Sequence, residues 1–140
     1  MSPRASGRDR DPTGPSRPHD HDLGLGRVYD HPDGRYRVLV DRLWPRGVTK
    51  VDAALDEWLE AVAPSTELRR WYSHDVSRFD EFSARYLAEL GQAPASTAVE
   101  HLADLAATRE VLLLTATRDV EHSGAHVLRA HLLDRRRSRS

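Results

Sequence analysis

The 140-residue chain contains no cysteine. That excludes a disulfide scaffold, a thiolate zinc site, an iron–sulfur cluster and a cysteine nucleophile. It lacks any apolar run near the ~18 residues needed to span a bilayer. No apolar segment marks its start, so no secretory signal is expected and the predicted setting is cytoplasmic, with no membrane partner. A basic surplus is missing too: 21 Lys and Arg stand against 22 Asp and Glu, for a formal charge of −1. The balance is uneven along the chain. Residues 1–22 are neutral overall, residues 134–140 carry four Arg and one Asp, and the stretch between them is net acidic. Coating a phosphate backbone needs excess cations, so general nucleic-acid binding is not expected. Gly-rich phosphate loops, dinucleotide fingerprints and serine elbows are likewise absent.

The start of the chain is Arg, Asp, Pro, Ser, Gly and His with almost nothing apolar. Such a segment cannot bury enough surface to offset its ordering entropy. A disordered tail is therefore predicted over 1–26, a domain over 27–133 and a basic tail over 134–140. Within the domain, Arg27-Val28-Tyr29 reads as a short strand, Asp33-Gly34 as a turn, and residues 36–40 as a β-rich run. Leu55, Trp58, Leu59 and Val62 recur at i, i+3, i+4 and i+7, which predicts a helix over 52–62 ended by Pro64. Ser65 or Thr66 can cap a short helix through Trp71. Phe79, Phe82, Tyr86 and Leu90 mark a third helix with Gly91 beyond its end, and Val99, Leu102 and Leu105 a fourth. Val111 to Leu114 is continuously apolar, as in a strand covered on both faces. Residues 121–133 read as the last helix. The pattern is α/β: a single small domain whose short, mainly parallel sheet is flanked by helices. Three strands make a small sheet, and one of the predicted helices can hide a fourth.

If strands 36–40 and 111–115 are parallel neighbours, their C-terminal ends open on one edge, where ligands of open α/β sheets bind. Asp41-Arg42 follows the first strand. Thr115, Thr117, Arg118 and Asp119 follow the second. Two segments thus deliver an Asp–Arg pair each to one crevice, beside a helix N-terminus that favours an anion. Arg42, Arg46, Arg118 and Thr117 are the expected ligand-binding residues, since Arg forks suit phosphate and carboxylate. Trp44, in Asp41-Arg42-Leu43-Trp44-Pro45-Arg46-Gly47, either stacks on a planar part of the ligand or anchors its loop in the core. Asp41, Asp119 and His122 are the candidate acid–base groups. The plainer alternative has Asp41 capping a turn and Asp119 capping the last helix. His122 and His126 are spaced i, i+4 and, with His74, form the metal-binding alternative.

That Trp-Pro-Arg loop, with residues 63–69 (Ala-Pro-Ser-Thr-Glu-Leu-Arg), Trp71 to Asp75 and Leu114 through His122, resembles the short, YeaO-like branch of the domain-of-unknown-function 488 family. The resemblance covers about residues 27–133 and implies a small α/β domain, with no assigned activity. It departs at Ser123, where the family pattern Arg-Asp-x-x-His-Asn ends in Asn. Thiol chemistry of the longer, Cys-containing relatives does not carry over, and no basic recognition helix supports a transcriptional regulator.

Three functional readings follow. The leading one is a protein that binds an anionic small molecule, a nucleotide or phosphorylated metabolite, at the strand C-termini, with Asp/His acid–base catalysis left open. The second is a haem- or divalent-metal-binding protein using His ligands. The third is a non-catalytic module that contacts protein or nucleic acid, helped by the basic C-terminus.

Overall fold

The computed structural model describes residues 21–138. Four parallel strands form one sheet in the order β1-β4-β2-β3: β1 (Leu23–Arg27), β2 (Tyr36–Leu39), β3 (Glu57–Trp58) and β4 (Val111–Thr115). Five helices accompany it: α1 (Lys50–Ala53), α2 (Thr66–Tyr72), α3 (Phe79–Leu90), α4 (Ala95–Thr108) and α5 (Gly124–Ser138). The α/β class and the parallel sheet are as the sequence predicts.

β4 occupies the interior of the sheet and is buried along its whole length, which is why its run is apolar without alternation. On one face, Val38, Val40, Val111 and Leu113 meet Leu68, Phe82, Tyr86, Val99, Leu102 and Leu128 from α2 to α5. Among the described residues, the other face has no long helix. Leu39, Leu112 and Leu114 are covered by Val28, Ala53, Trp44, Val48 and Leu55, from the segment after β1 and the loop around α1.

Four boundaries differ from the sequence reading. First, β1 begins at Leu23, inside the predicted tail, and Arg27 is its last residue rather than its first. Gly24 and Gly26 made this stretch look unstructured. Their bare faces let the return segment 28–35 lie close: a Cβ on Gly24 would run into the Arg35 guanidinium, and one on Gly26 would meet an Asp30 oxygen at 3.1 Å. The remainder of the predicted N-terminal tail, residues 1–20, lies outside the described residues. Second, α5 continues to Ser138, so residues 134–138 of the predicted C-terminal tail are helical. Its cations reach back to the start of β1: Arg129 Nε donates to Leu23 O at 2.7 Å, and Arg136 Nη1 to His21 O at 3.0 Å. This gives edge carbonyls partners and ties α5 to the start of β1.

Third, the predicted helix 52–62 is absent. The chain makes one turn (α1), enters the left-handed region at Ala54 (φ 49°), and then forms β3. Arg37 causes the break. In a continuing helix the Ala53 and Ala54 carbonyls would accept from N–H groups four residues on. Instead both accept from the Arg37 guanidinium, at 2.9 and 3.1 Å. The Asp56 carboxylate caps the Arg37 N–H at 2.8 Å, and Asp56 N donates to Arg37 O, which starts the β2–β3 ladder. Fourth, α5 starts at Gly124 rather than 121. Ser123 is its cap, accepting from His126 N at 3.2 Å, and Asp119 makes no capping bond.

The other helices follow their sequence signals. Ser65 caps α2, its hydroxyl accepting from Leu68 N at 3.1 Å and donating to Glu89 at 2.6 Å. Ser65→Ala removes both bonds and is expected to lower unfolding stability by about 1–2 kcal/mol. Urea titration measures this, and an unchanged midpoint would refute the capping role.

Candidate functional site

The C-terminal ends of β2 and β4 are fastened together by one side chain. Asp41 Oδ1 accepts from the Thr115 hydroxyl at 2.7 Å, and Oδ2 accepts from Ala116 N at 2.8 Å. Thr115 Oγ1 in turn accepts from Thr117 N at 3.2 Å. Asp41 is largely buried, and desolvation raises its pKa above the ordinary carboxylate value; the Ala116 and Thr115 bonds offset this in part. Its carbonyl accepts from Trp58 Nε1 at 2.8 Å, which brings β3 to the same corner.

A pocket of about 220 Å³ opens beside this latch. The strand ends supply Val40, Asp41, Thr115 and Thr117. The loop after β2 supplies Arg42, Trp44 and Arg46, α2 supplies Arg69 and Tyr72, and the start of α5 supplies Gly124 and Ala125. His74 and His122 also line it, from the loops before α3 and α5. Its walls are mostly apolar and aromatic. Tyr72 stacks on Phe82 with ring centroids 4.2 Å apart and 15° between planes.

Three cations face this space. Arg42 is partly committed: Nε donates to Pro64 O at 2.9 Å and Nη2 to Ala63 O at 3.2 Å, fixing the turn that leads into α2. Arg46 and Arg69 are exposed, and among the described residues neither side chain has a hydrogen-bond or ion-pair partner. His122 is held from three sides. Its Nδ1 lies 2.8 Å from Asp119 Oδ2, its carbonyl accepts from the Tyr72 hydroxyl at 2.7 Å, and its ring meets Phe79 edge-on at 5.0 Å. Burial, together with the charges of Asp119 and Asp75, pushes the Tyr72 phenol upward in pKa, so it remains a donor at neutral pH.

The sequence reading brought Asp41, Arg42, Trp44, Arg46, Thr117 and His122 to one place, and all six line the pocket. Arg118 and Asp119 are exposed and do not line it. The expected meeting of two Asp–Arg pairs is therefore half realised: the backbone turns outward after Thr117, and Asp119 reaches the site only through His122. Trp44 serves as a loop anchor, with Nε1 donating to Val48 O at 2.7 Å and its ring edge-on to Trp58, while the same side chain forms pocket wall. Of the metal alternative, His74 and His122 line the pocket and His126 does not. The helix carrying the i, i+4 pattern starts only at Gly124, so His122 and His126 are not on one helical face. Among the described residues no group of three or more His, Asp or Glu is placed to hold a metal ion. Arg69, Tyr72 and Phe82 were missed. The i, i+3 spacing of Arg69 and Tyr72 puts both on one face of α2, but only the tertiary placement of α2 shows which face meets the sheet edge.

Fold and site define a small parallel α/β domain with an aromatic, cation-lined pocket beyond its strand ends. The chain belongs to the family described as the inactive DUF488-N3 subclade, which it matches over residues 22–140. It is 47% identical over 114 residues to the uncharacterized protein Rv3073c of Mycobacterium tuberculosis, covering 80% of this chain and 93% of that one. The uncharacterized protein Mb3100c of Mycobacterium bovis matches equally. The uncharacterized protein YeaO of Escherichia coli is 45% identical over 105 residues, covering 73% of this chain and 89% of that one. No solved structure matches.

Proposed function

We propose that this protein binds an anionic small molecule, a nucleotide or phosphorylated metabolite, in the pocket beyond the strand C-termini. The carrying observation is that Arg42, Arg46 and Arg69 line one space and that the last two have no partner among the described residues. An unpaired guanidinium fork is suited to phosphate or carboxylate. The N-terminal end of α5, represented by Gly124 and Ala125 in the lining, adds a favourable dipole.

Binding without turnover is the form of this reading that the residues support best. Both Asp41 oxygens already accept bonds from β4 and the residue after it, so its first role is to hold the strand ends together. Description of the family as inactive points the same way. The Asp119–His122 pair would be the proton-transfer group of any residual chemistry, because His122 Nε2 has no partner among the described residues.

A thermal-shift panel of nucleotides and sugar phosphates tests the proposal. At least one anion is expected to raise the melting temperature by several degrees at saturating concentration. Thr117→Trp, which plugs the pocket, should abolish the shift. Arg118→Ala, outside the pocket, should leave it intact. A panel with no stabilising anion, or a shift that survives in Thr117→Trp, overturns the reading.

A further inference from the structure

Building on the anion-binding reading, we infer that the ligand enters ring-first. A planar, N–H-bearing heterocycle lies among the aromatic walls against Asp41, and its phosphomonoester stays at a rim made by Arg46, Arg69 and His74. The pocket has two chemically distinct zones. Most buried lining residues are apolar or aromatic (Val40, Pro45, Tyr72, Phe82, Ala125), with Thr115 and Ser123 as buried hydroxyls; of the half-buried charged groups beside them, Arg42 is engaged by the Pro64 and Ala63 carbonyls, and Asp41 is a carboxylate. A phosphate placed there would face that carboxylate across a low-dielectric gap, which is repulsive. The unpartnered cations are instead the exposed lining residues, at the mouth. Charge thus fixes the orientation: anion outward, apolar body inward.

Asp41 also sets what the inner body carries. Each of its oxygens accepts one protein bond and keeps a second acceptor site. An apolar ring leaves those sites empty on a desolvated carboxylate, whereas a ring with N–H donors fills them. The space of about 220 Å³ lies below the roughly 300–1,000 Å³ of drug-sized sites, so it suits one heterocycle and not a dinucleotide. Nucleoside monophosphates match this chemistry and sugar phosphates do not.

The backbone at the rim gives independent support. Ser73 and His74 follow α2 with φ of 46° and 59°, two consecutive non-glycine residues in the left-handed region. That conformation costs energy without glycine, and strain of this kind concentrates at ligand-contacting segments. Ser73 is the C-cap of α2, its N–H donating to Arg69 O, whereas His74 is exposed and its ring meets only the pocket-wall residue Tyr72, with centroids 6.4 Å apart, among the described residues. The strained residue of the pair is thus the one whose side chain lines the pocket.

Isothermal titration with four nucleoside monophosphates, the matching nucleosides, ribose 5-phosphate and inorganic phosphate tests the orientation. At least one monophosphate is expected to bind roughly 10-fold or more tightly than its nucleoside and than ribose 5-phosphate. Arg46→Ala/Arg69→Ala should collapse the monophosphate-to-nucleoside ratio toward one while leaving nucleoside affinity unchanged. His74→Gly should raise the melting temperature and weaken the monophosphate, a pair of effects a merely structural histidine would not give. Ribose 5-phosphate binding as tightly as every monophosphate overturns the ring-first orientation and leaves the anion reading standing. An unchanged ratio in the double variant overturns the rim. Failure of all these probes, while another anion stabilises the protein in the thermal-shift panel, overturns the ligand class alone.

Discussion

Arg37→Met is expected to destabilise the protein by about 3 kcal/mol or more, the largest effect of any single substitution considered. Arg37 lies in the second strand of the sheet and is only 2% exposed. Among the described residues no carboxylate faces its guanidinium. It donates instead to main-chain carbonyls: Ala53 at 2.9 Å, Ala54 at 3.1 Å and Val28 at 3.2 Å. Nη1 is buried and has no hydrogen-bond partner among the described residues. The residue is therefore a strut between the sheet and its helix-poor face, where it adds polar ties to the apolar packing of Val28 and Ala53 on Leu39, Leu112 and Leu114. Methionine fills comparable space but leaves three carbonyls without a donor, and each buried unsatisfied group costs about 1–3 kcal/mol. Lysine restores a charge without the fork, so Arg37→Lys should recover only part of the loss. Urea unfolding of the three proteins measures the difference. Equal midpoints for wild type and Arg37→Met would show that the carbonyls find water and that the strut is dispensable.

Asp41→Ala is expected to cost about 2–3 kcal/mol at neutral pH, because Ala116 N and the Thr115 hydroxyl both lose their acceptor. Asp41→Asn keeps one acceptor and should cost less. The pH dependence separates charge from geometry. Burial raises the Asp41 pKa in the fold, so the folded chain holds this proton more tightly than the unfolded chain does. The resulting stabilisation is fully present below the unfolded value, near 3.8, and is lost as pH rises through the raised folded value. Relative to Asp41→Asn, which has no such proton, wild type should gain stability as pH is lowered across that window. Paired urea titrations from pH 3.5 to 7 test this. A difference between the two proteins that does not change with pH would mean that Asp41 titrates alike in both states. One that changes in the opposite direction would mean that the Thr115 and Ala116 bonds outweigh desolvation.

How legible the site was depended on where each residue stood relative to a strand end. Asp41, Arg42 and Thr117 were found because the C-terminal edge of a parallel sheet is a fixed place and the apolar runs before them announce the strands. Arg118 and Asp119 were misplaced because sequence adjacency to an edge says nothing about where the backbone turns next. Arg69 and His74 sit in a helix and a loop whose approach to the edge comes from α2 packing through Leu68 and Tyr72, contacts distant in sequence.

Sequence alone determined the α/β class, the central buried strand and the helices α2, α3 and α4. Their signals are local: Ser65 as a cap, apolar residues at helical spacing, Gly91 as a stop, and an unbroken Val111–Leu114 run. Only the tertiary structure decided the region from 50 to 62 and the true start of β1. Helical spacing at Leu55, Trp58, Leu59 and Val62 was overridden when a buried guanidinium from another strand took the carbonyls a helix would have used. Glycines that looked like linker became a strand because a neighbouring segment needed their missing side chains. Local propensity amounts to tenths of a kcal/mol per residue, whereas a buried, unsatisfied carbonyl costs about 1–3 kcal/mol. Where the two conflict, the long-range hydrogen bond sets the conformation.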